Sequence, residues 1–273
     1  MLVKIRDFVP QQTFECGQCF RWERQPDGSY IGVAGGRCVR ISSDGENVKI
    51  DGCTEEDYEL FWKKYLDAER DYSEIKRNIS INPLMERAIG FGSGIRILKQ
   101  EFFETLLSFI ISQRSSIPRI KTCVKRLCER YGKPIEFEGK TFYAFPTPEE
   151  LSGLTAMDFA QLGVGYRAEY LAEAVRAVNE GRLVAEVLEN ADTQTAREEL
   201  LKIKGIGDKV CDCISLFSLG KFDLFPSDIW IKRVMAEQFT KNDAKKYGEN
   251  LFGKYSGFAQ QYLFYWRKEA EEM

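Results

Sequence analysis

The chain has 273 residues, 44% of them hydrophobic, with 19 phenylalanines and a net charge of −3, which is ample apolar material for one large or two ordinary domains. It contains no histidine, and this excludes histidine general bases, histidine-containing triads, histidine-bearing zinc sites and the His-x-Glu deaminase signature. No apolar run reaches the ~18 residues of a membrane span, and the start Met1-Leu2-Val3-Lys4-Ile5-Arg6-Asp7 lacks the apolar region of a signal peptide, so an intracellular protein with no membrane contact is expected.

Residues 1–50 read as β structure. Tyr30 to Ala34 and Cys38 to Ile41 flank Gly35-Gly36, a hairpin signal. Asn47 to Ile50 follows the turn Ser43-Asp44-Gly45, and Pro26-Asp27-Gly28 marks another turn. From Asp51 to Glu74 nine acids stand against three basic residues, a solvated acidic surface. From about Thr54 onward the pattern is helical, with Thr54 as N-cap ahead of Glu55, Glu56 and Asp57. Phe102 to Ile111 is strongly apolar and reads as a central helix. Lys99 to Lys133 holds eight basic residues and three acids, so a basic face is expected despite the negative total. Pro118 interrupts the pattern, and Ile120 to Tyr131 reads as a basic amphipathic helix ending at Gly132. Thr147-Pro148-Glu149-Glu150 reads as a helix start. Short helices follow through Met235, then a C-terminal helix from Ala259 to Glu271. The division expected is an N-terminal antiparallel β domain with a flanking helix over 1–78, and a helical domain over 79–273.

Eight cysteines in an intracellular chain read as reduced, buried thiols. Cys16-x-x-Cys19 is a single pair, and a four-thiolate zinc site would have to recruit Cys38 and Cys53. No metal ligand set is assigned.

The chemistry concentrates in Leu200-Leu201-Lys202-Ile203-Lys204-Gly205-Ile206-Gly207-Asp208-Lys209-Val210-Cys211-Asp212, followed by Phe225-Pro226-Ser227-Asp228. A Gly-x-Gly turn opens onto a helix N-terminus, where backbone N–H groups can face a phosphate, and glycine lets the phosphate approach closely. Lys209 stands two residues into that helix and Asp228 follows 19 residues later. An amine and a carboxylate at one site are what attack on a sugar and stabilisation of its cation require. A dinucleotide-binding reading needs a preceding strand and a third glycine; residues 195–202 read as helix and no glycine follows until Gly220.

This segment resembles the helix-hairpin-helix DNA glycosylases of the endonuclease III superfamily, with the hairpin at about 195–220. Cys16-Gly17-Gln18-Cys19-Phe20-Arg21-Trp22, Leu107 to Ile120, Leu162-Gly163-Val164-Gly165-Tyr166-Arg167-Ala168-Glu169-Tyr170 and Gly257 to Phe264 narrow the resemblance to the 8-oxoguanine DNA glycosylases. It implies an α+β fold, with a small antiparallel sheet before a mostly α-helical part. It implies a bifunctional glycosylase and lyase acting on duplex DNA that contains 8-oxoguanine. Lys209 would attack C1′ of the flipped nucleotide, Asp228 would stabilise the cationic sugar, and a Schiff base would permit β-elimination.

Base recognition falls, by the same resemblance, to the carbonyl of Gly17, to Phe264 and Cys213 on the two faces of the base, and to Gln260 on its Watson–Crick edge. Arg114, Arg119, Arg167 and the wedge Tyr166 would read the orphaned partner base. Arg114 stands where the family usually has asparagine, so the preference for cytosine opposite the lesion is open. Trp230 stands where the family often has histidine near the 5′ phosphate, and its indole N–H can still donate. Gly205 and Gly207 would hold a phosphate, with a structural cation on the hairpin carbonyls in some relatives. No cofactor is required, and an iron–sulfur cluster is excluded because no cysteine follows Cys213. A monomer is expected, cytoplasmic and DNA-associated, or nuclear in a eukaryote. Two alternatives stay open: an endonuclease III-like enzyme for other oxidised bases, and a non-catalytic helix-hairpin-helix DNA-binding protein.

Overall fold

The computed structural model of the protein describes residues 1–45, 47–239 and 244–272. Strands β1 (Leu2–Val3), β2 (Trp22–Arg24), β3 (Tyr30–Ala34), β4 (Arg37–Ser43) and β5 (Val48–Asp51) form one antiparallel sheet in the order β1-β5-β4-β3-β2. Gly35-Gly36 turns β3 into β4, with Ala34 opposite Arg37. Trp22 pairs with Gly32 across β2 and β3. Its indole stacks on Phe14 at 3.9 Å and donates to the Tyr65 hydroxyl at 2.9 Å. Trp22, Trp62, Val39, Ile41 and Ile50 form the core on which the sheet rests.

Helix α1 (Pro10–Glu15) lies inside the stretch expected to be all β. It is a single Pro-initiated turn and a half without a side-chain cap, too short for a periodic signal. Thr54 is the expected N-cap, here in a capping box with Asp57, at the start of α2 (Glu55–Asp57), which runs through a π-helical turn, Tyr58–Trp62, into α3 (Lys63–Tyr65). Then come α4 (Tyr72–Ile79), α5 (Pro83–Phe91), α6 (Phe102–Ser112) and α7 (Ile117–Tyr131). As expected, α6 is apolar and central: Leu106, Leu107, Ile110 and Ile111 are buried. Pro118 sits in the first turn of α7, where its missing N–H costs nothing.

Two expectations past Thr54 are corrected. Residues 134–143 form a hairpin of β6 (Pro134–Phe137) and β7 (Lys140–Tyr143) rather than helix. Glu138 and Gly139 both adopt positive φ at its turn. Thr147 and Glu150 exchange the contacts of a capping box, but the chain makes only turns there. The helix begins later, at α8 (Ala156–Ala160), behind the capping box of Thr155 and Asp158. Gly153, at φ 82°, ends the abortive turn.

Helices α9 (Ala168–Asn179), α10 (Ala185–Asn190), α11 (Thr193–Leu201), α12 (Asp208–Ser218), α13 (Ile229–Phe239), α14 (Ala244–Phe252) and α15 (Ser256–Glu272) complete the chain. Leu107, Ile110, Leu127, Phe159, Ile214, Phe225 and Leu263 belong to one continuous core across them, and Cys16 and Phe20 from the N-terminal part enter it. The fold is therefore an α+β arrangement, an N-terminal antiparallel sheet followed by a helical unit with a helix-hairpin-helix. All eight cysteines are free thiols, and every one except Cys53 is buried. Among the described residues no helix is long and apolar enough to cross a membrane.

Candidate active site

Lys209 projects from the first turn of α12. Its Nζ lies 5.4 Å from the centre of the Phe109 ring on α6, a cation–π placement. The same side chain acts on two further groups. Its charge favours the ionised forms of the Cys213 thiol and of Asp228. Burial outweighs that help at both. The Cys213 thiol is pushed up to about 11 and the Asp228 carboxyl is raised above its ordinary value. Asp228 also caps α13, its Oδ1 accepting from Ile231 N–H at 2.9 Å. Lys209 in the first turn of α12 and Asp228 at the start of α13 thus interact through their charges, with the Cys213 thiol one turn further along α12.

Helix α12 is held in place by a buried carboxylate. Asp212 accepts from Arg197 of α11 and from Lys245 of α14, both at 2.6 Å. Arg197 also pairs with the exposed Asp208 at 2.8 Å. The hairpin between α11 and α12 turns at Gly205, φ 97°. A Cβ there would lie 2.2 Å from Cγ of Tyr170, so glycine is required on two counts. Gly207 is the N-cap of α12, in extended conformation. The carbonyls of Ile203, Gly205 and Gly207 accept from Ile206 N–H, the Gln113 side chain and Cys211 N–H, which leaves each a lone pair.

A second cluster lies between the segment after α1 and α15. Gly17, at φ 80°, packs so tightly on Phe264 that a Cβ would come within 2.9 Å of its ring. Two amides clamp the Gly17 loop. Gln18 donates to Thr13 and Arg96 carbonyls, each at 2.8 Å, and accepts from Leu98 N–H at 2.9 Å. Gln261 donates to the Cys16 carbonyl at 2.5 Å. Gln260, its neighbour, is 5% exposed, and its Oε1 has no hydrogen-bond partner among the described residues. A buried orphan acceptor is costly unless a ligand completes it. Sequence reading missed the clamps Gln18 and Gln261; the available signal was an amide inside an otherwise apolar run.

The residues expected at the partner base separate into two groups. Arg114, at φ 47°, and Arg119 are exposed, and Arg119 donates to the Gly163 carbonyl at 3.2 Å. Tyr166 is 52% exposed. Arg167 is instead 5% exposed. Its guanidinium donates to the carbonyls of Gln113, Val164 and Arg114 and lies 4.6 Å from the Tyr166 ring. In this structure it therefore faces the backbone and not an open gap. Trp230 is half-buried, with the Arg233 guanidinium 5.2 Å from its ring centre. On the basic helix α7, Lys121 donates to the Trp22 carbonyl and Arg126 to that of Leu162, so part of its charge is tied down.

Comparison with known proteins agrees with this fold. Residues 1–106 match the family described as 8-oxoguanine DNA glycosylase, N-terminal domain. Residues 107–254 match the HhH-GPD superfamily of base excision DNA repair proteins. The chain belongs to the 8-oxoguanine DNA glycosylase family of that superfamily. Its backbone matches the 8-oxoguanine glycosylase/lyase of Clostridium acetobutylicum, solved with double-stranded DNA containing cytosine opposite 8-oxoguanine. The two are 41% identical over 99% of this chain and 98% of that one, with a TM-score of 0.96. The N-glycosylase/DNA lyase of Saccharomyces cerevisiae is 34% identical over 60% of this chain and 46% of its own length. A probable N-glycosylase/DNA lyase of Methanothermobacter thermautotrophicus is 30% identical over 63% and 62%. The chain thus spans less than two thirds of these two curated relatives.

One consequence of the second cluster is measurable. Gly17→Ala meets both the left-handed φ and the Phe264 ring, so the loop must shift. The expected result is a loss of 8-oxoguanine excision of about 10²-fold, the scale of a misplacement near 1 Å. Nicking at a preformed abasic site, which needs no base contact, should fall less than about threefold. Equal losses in both assays would count against a base-contacting role for this loop.

Proposed function

We propose that the protein is a bifunctional DNA glycosylase and abasic-site lyase that excises 8-oxoguanine from duplex DNA. The observation that carries the proposal is that the first turn of α12 and the start of α13 bring the charge of the Lys209 amine to bear on the Asp228 carboxylate, one helix turn from the Cys213 thiol.

The base must leave the stack before its sugar bond is reachable. Backbone N–H groups at Gly205 and Gly207 hold a phosphate and set position without reading sequence. In the neutral form the Lys209 amine attacks C1′. The bond between C1′ and the base breaks, and the base departs with the bonding pair and takes up a proton. Asp228 stabilises the positive charge on the sugar meanwhile. Ring opening gives a Schiff base between Lys209 and C1′. Loss of a C2′ proton then expels the 3′ phosphate, and water releases the lysine.

Damage recognition follows from one hydrogen. 8-Oxoguanine carries N7–H where guanine has a lone pair. A carbonyl at Gly17 would accept from the former and repel the latter. Phe264 and Cys213 would close over the two faces of the base, and the orphan Oε1 of Gln260 would accept from its Watson–Crick edge. Arg114, Arg119 and Tyr166 would meet the partner base, Arg167 would hold their loop, and Trp230 would donate to the 5′ phosphate. A cation sharing the free lone pairs of the hairpin carbonyls belongs to this reading. So do a monomeric state, an intracellular location beside DNA, and a division near residues 78 and 79.

The test is a labelled duplex with a single 8-oxoguanine opposite cytosine, adenine, guanine or thymine in turn. Nicking without added base supports the reading, and the ratios show how Arg114 sets partner choice. If all four duplexes stay intact, the proposal fails.

A further inference from the structure

Gln113 is the C-cap of α6, a residue to which neither the hairpin nor the base-contacting motifs assign a role. Its side chain reaches across to the hairpin, Nε2 donating to the Gly205 carbonyl at 2.9 Å and to the Ile110 carbonyl at 3.2 Å. Its own carbonyl faces the other way and accepts from Arg167, at 2.8 Å from Nε and also from Nη2. The same guanidinium takes the Arg114 carbonyl at 3.2 Å and the Val164 carbonyl at 2.9 Å.

The contacts close into a ring. Arg167 lies 4.6 Å from the Tyr166 ring centre. Tyr166 meets Tyr170 edge-on at 5.9 Å. Tyr170 in turn fills the space that a side chain at residue 205 would occupy. One route from Gly205 to Arg114 thus runs through the Gln113 amide and the other through two tyrosines.

We infer that Gln113 is a positioning residue that couples the phosphate-gripping hairpin to the loop facing the base opposite the lesion. The inference rests on the proposed function and assigns that function a determinant of partner choice. Arg114 is held at φ 47°, a left-handed conformation that an arginine keeps only when its surroundings over-determine it. Arg167 grips the carbonyls on both sides of that residue, and Gln113 fixes the preceding peptide to the hairpin. Removal of the amide donor frees one end of the grip. The Arg114 backbone then relaxes and its side-chain donors move relative to the partner base. Discrimination between partners is a difference of interactions, so it suffers before the reaction does. None of the hydrogen bonds in this ring involves Lys209 or Asp228.

The experiment compares wild type with Gln113→Met, which keeps the length and loses the donor, and Gln113→Glu, which sets a carboxylate against the Gly205 carbonyl. Single-turnover rates and half-saturating concentrations are measured on 8-oxoguanine opposite each of the four bases, with melting temperatures alongside. The expected result is that the spread between best and worst partner shrinks by about tenfold in both variants. The maximal rate opposite the best partner stays within about threefold, and the melting temperature within about 3 °C. Unchanged ratios in both variants would overturn the inference. So would a common fall opposite all four bases with a lowered melting temperature, which marks a merely structural role. A wild-type protein that cuts none of the duplexes overturns the proposed function itself, and the inference falls with it.

Discussion

Lys209→Gln yields no borohydride-trapped protein–DNA adduct, and its single-turnover rate on an 8-oxoguanine duplex falls by about 10³-fold or more. Glutamine keeps the polarity and most of the length but has no amine lone pair to donate, so neither the bond to C1′ nor the Schiff base can form. The loss belongs to chemistry and not to folding. Lys209 is half-buried in the first turn of α12, and what the fold loses is mainly its placement over Phe109, worth about 1 kcal/mol. Duplex binding should survive, because the hairpin N–H groups at Gly205 and Gly207 are backbone. A trapped adduct in the variant equal to that of wild type would move the nucleophile elsewhere. Trapping assays on denaturing gels decide this without kinetics.

Asp228→Asn separates catalysis from stability more sharply. Removal of the carboxylate charge that faces the developing sugar cation should lower base excision by about 10²–10³-fold. Asparagine caps a helix as well as aspartate does, so the bond from Ile231 N–H to this side chain survives. The pH dependence follows from the direction of the Asp228 shift, which burial raises above the ordinary 3.8. The wild-type rate should fall as pH drops through that raised value, and the asparagine variant should lack this acid limb. For folding the sign is opposite to that of an ordinary paired aspartate. A native pKa above the unfolded one means that the folded state binds the proton more tightly. The stability contributed is present below 3.8 and is lost as pH rises through the raised value. At neutral pH the ionised group is therefore a cost, and Asp228→Asn should melt at or above the wild-type temperature. A variant that loses activity together with stability would refute this account of Asp228.

The sequence made the reacting groups legible because they are local. Gly205, Gly207 and Lys209 share one hairpin, and Asp228 starts the next long helix after α12. The β3–β4 hairpin was readable for the same reason, since Gly35-Gly36 sits between two apolar runs. The β6–β7 hairpin carries such a pattern too, Ile135, Phe137 and Phe142 about Glu138-Gly139, but it lies within a long helical stretch and its turn begins with glutamate. The opposite failure came at Thr147, where a local capping signal exists and Gly153 cancels it six residues later. Arg167 could be placed beside Tyr166 but not aimed. Its direction depends on the Gln113 carbonyl, 54 residues away in the chain, and nothing in the neighbouring residues reports that crossing. Gln18 and Gln261 carried only a faint signal, an amide inside an apolar run, because an amide that satisfies distant backbone leaves no periodic trace.

The free thiols bear on how the molecule survives its surroundings. Oxidants attack the thiolate, not the thiol. Burial holds Cys16, Cys38, Cys128 and Cys211 at about 12 and Cys213 at about 11. At neutral pH these sulfurs are held as thiols, the form oxidants attack least. The burial that raises these thiols therefore also slows their oxidation, so eight cysteines do not by themselves make the chain prone to it.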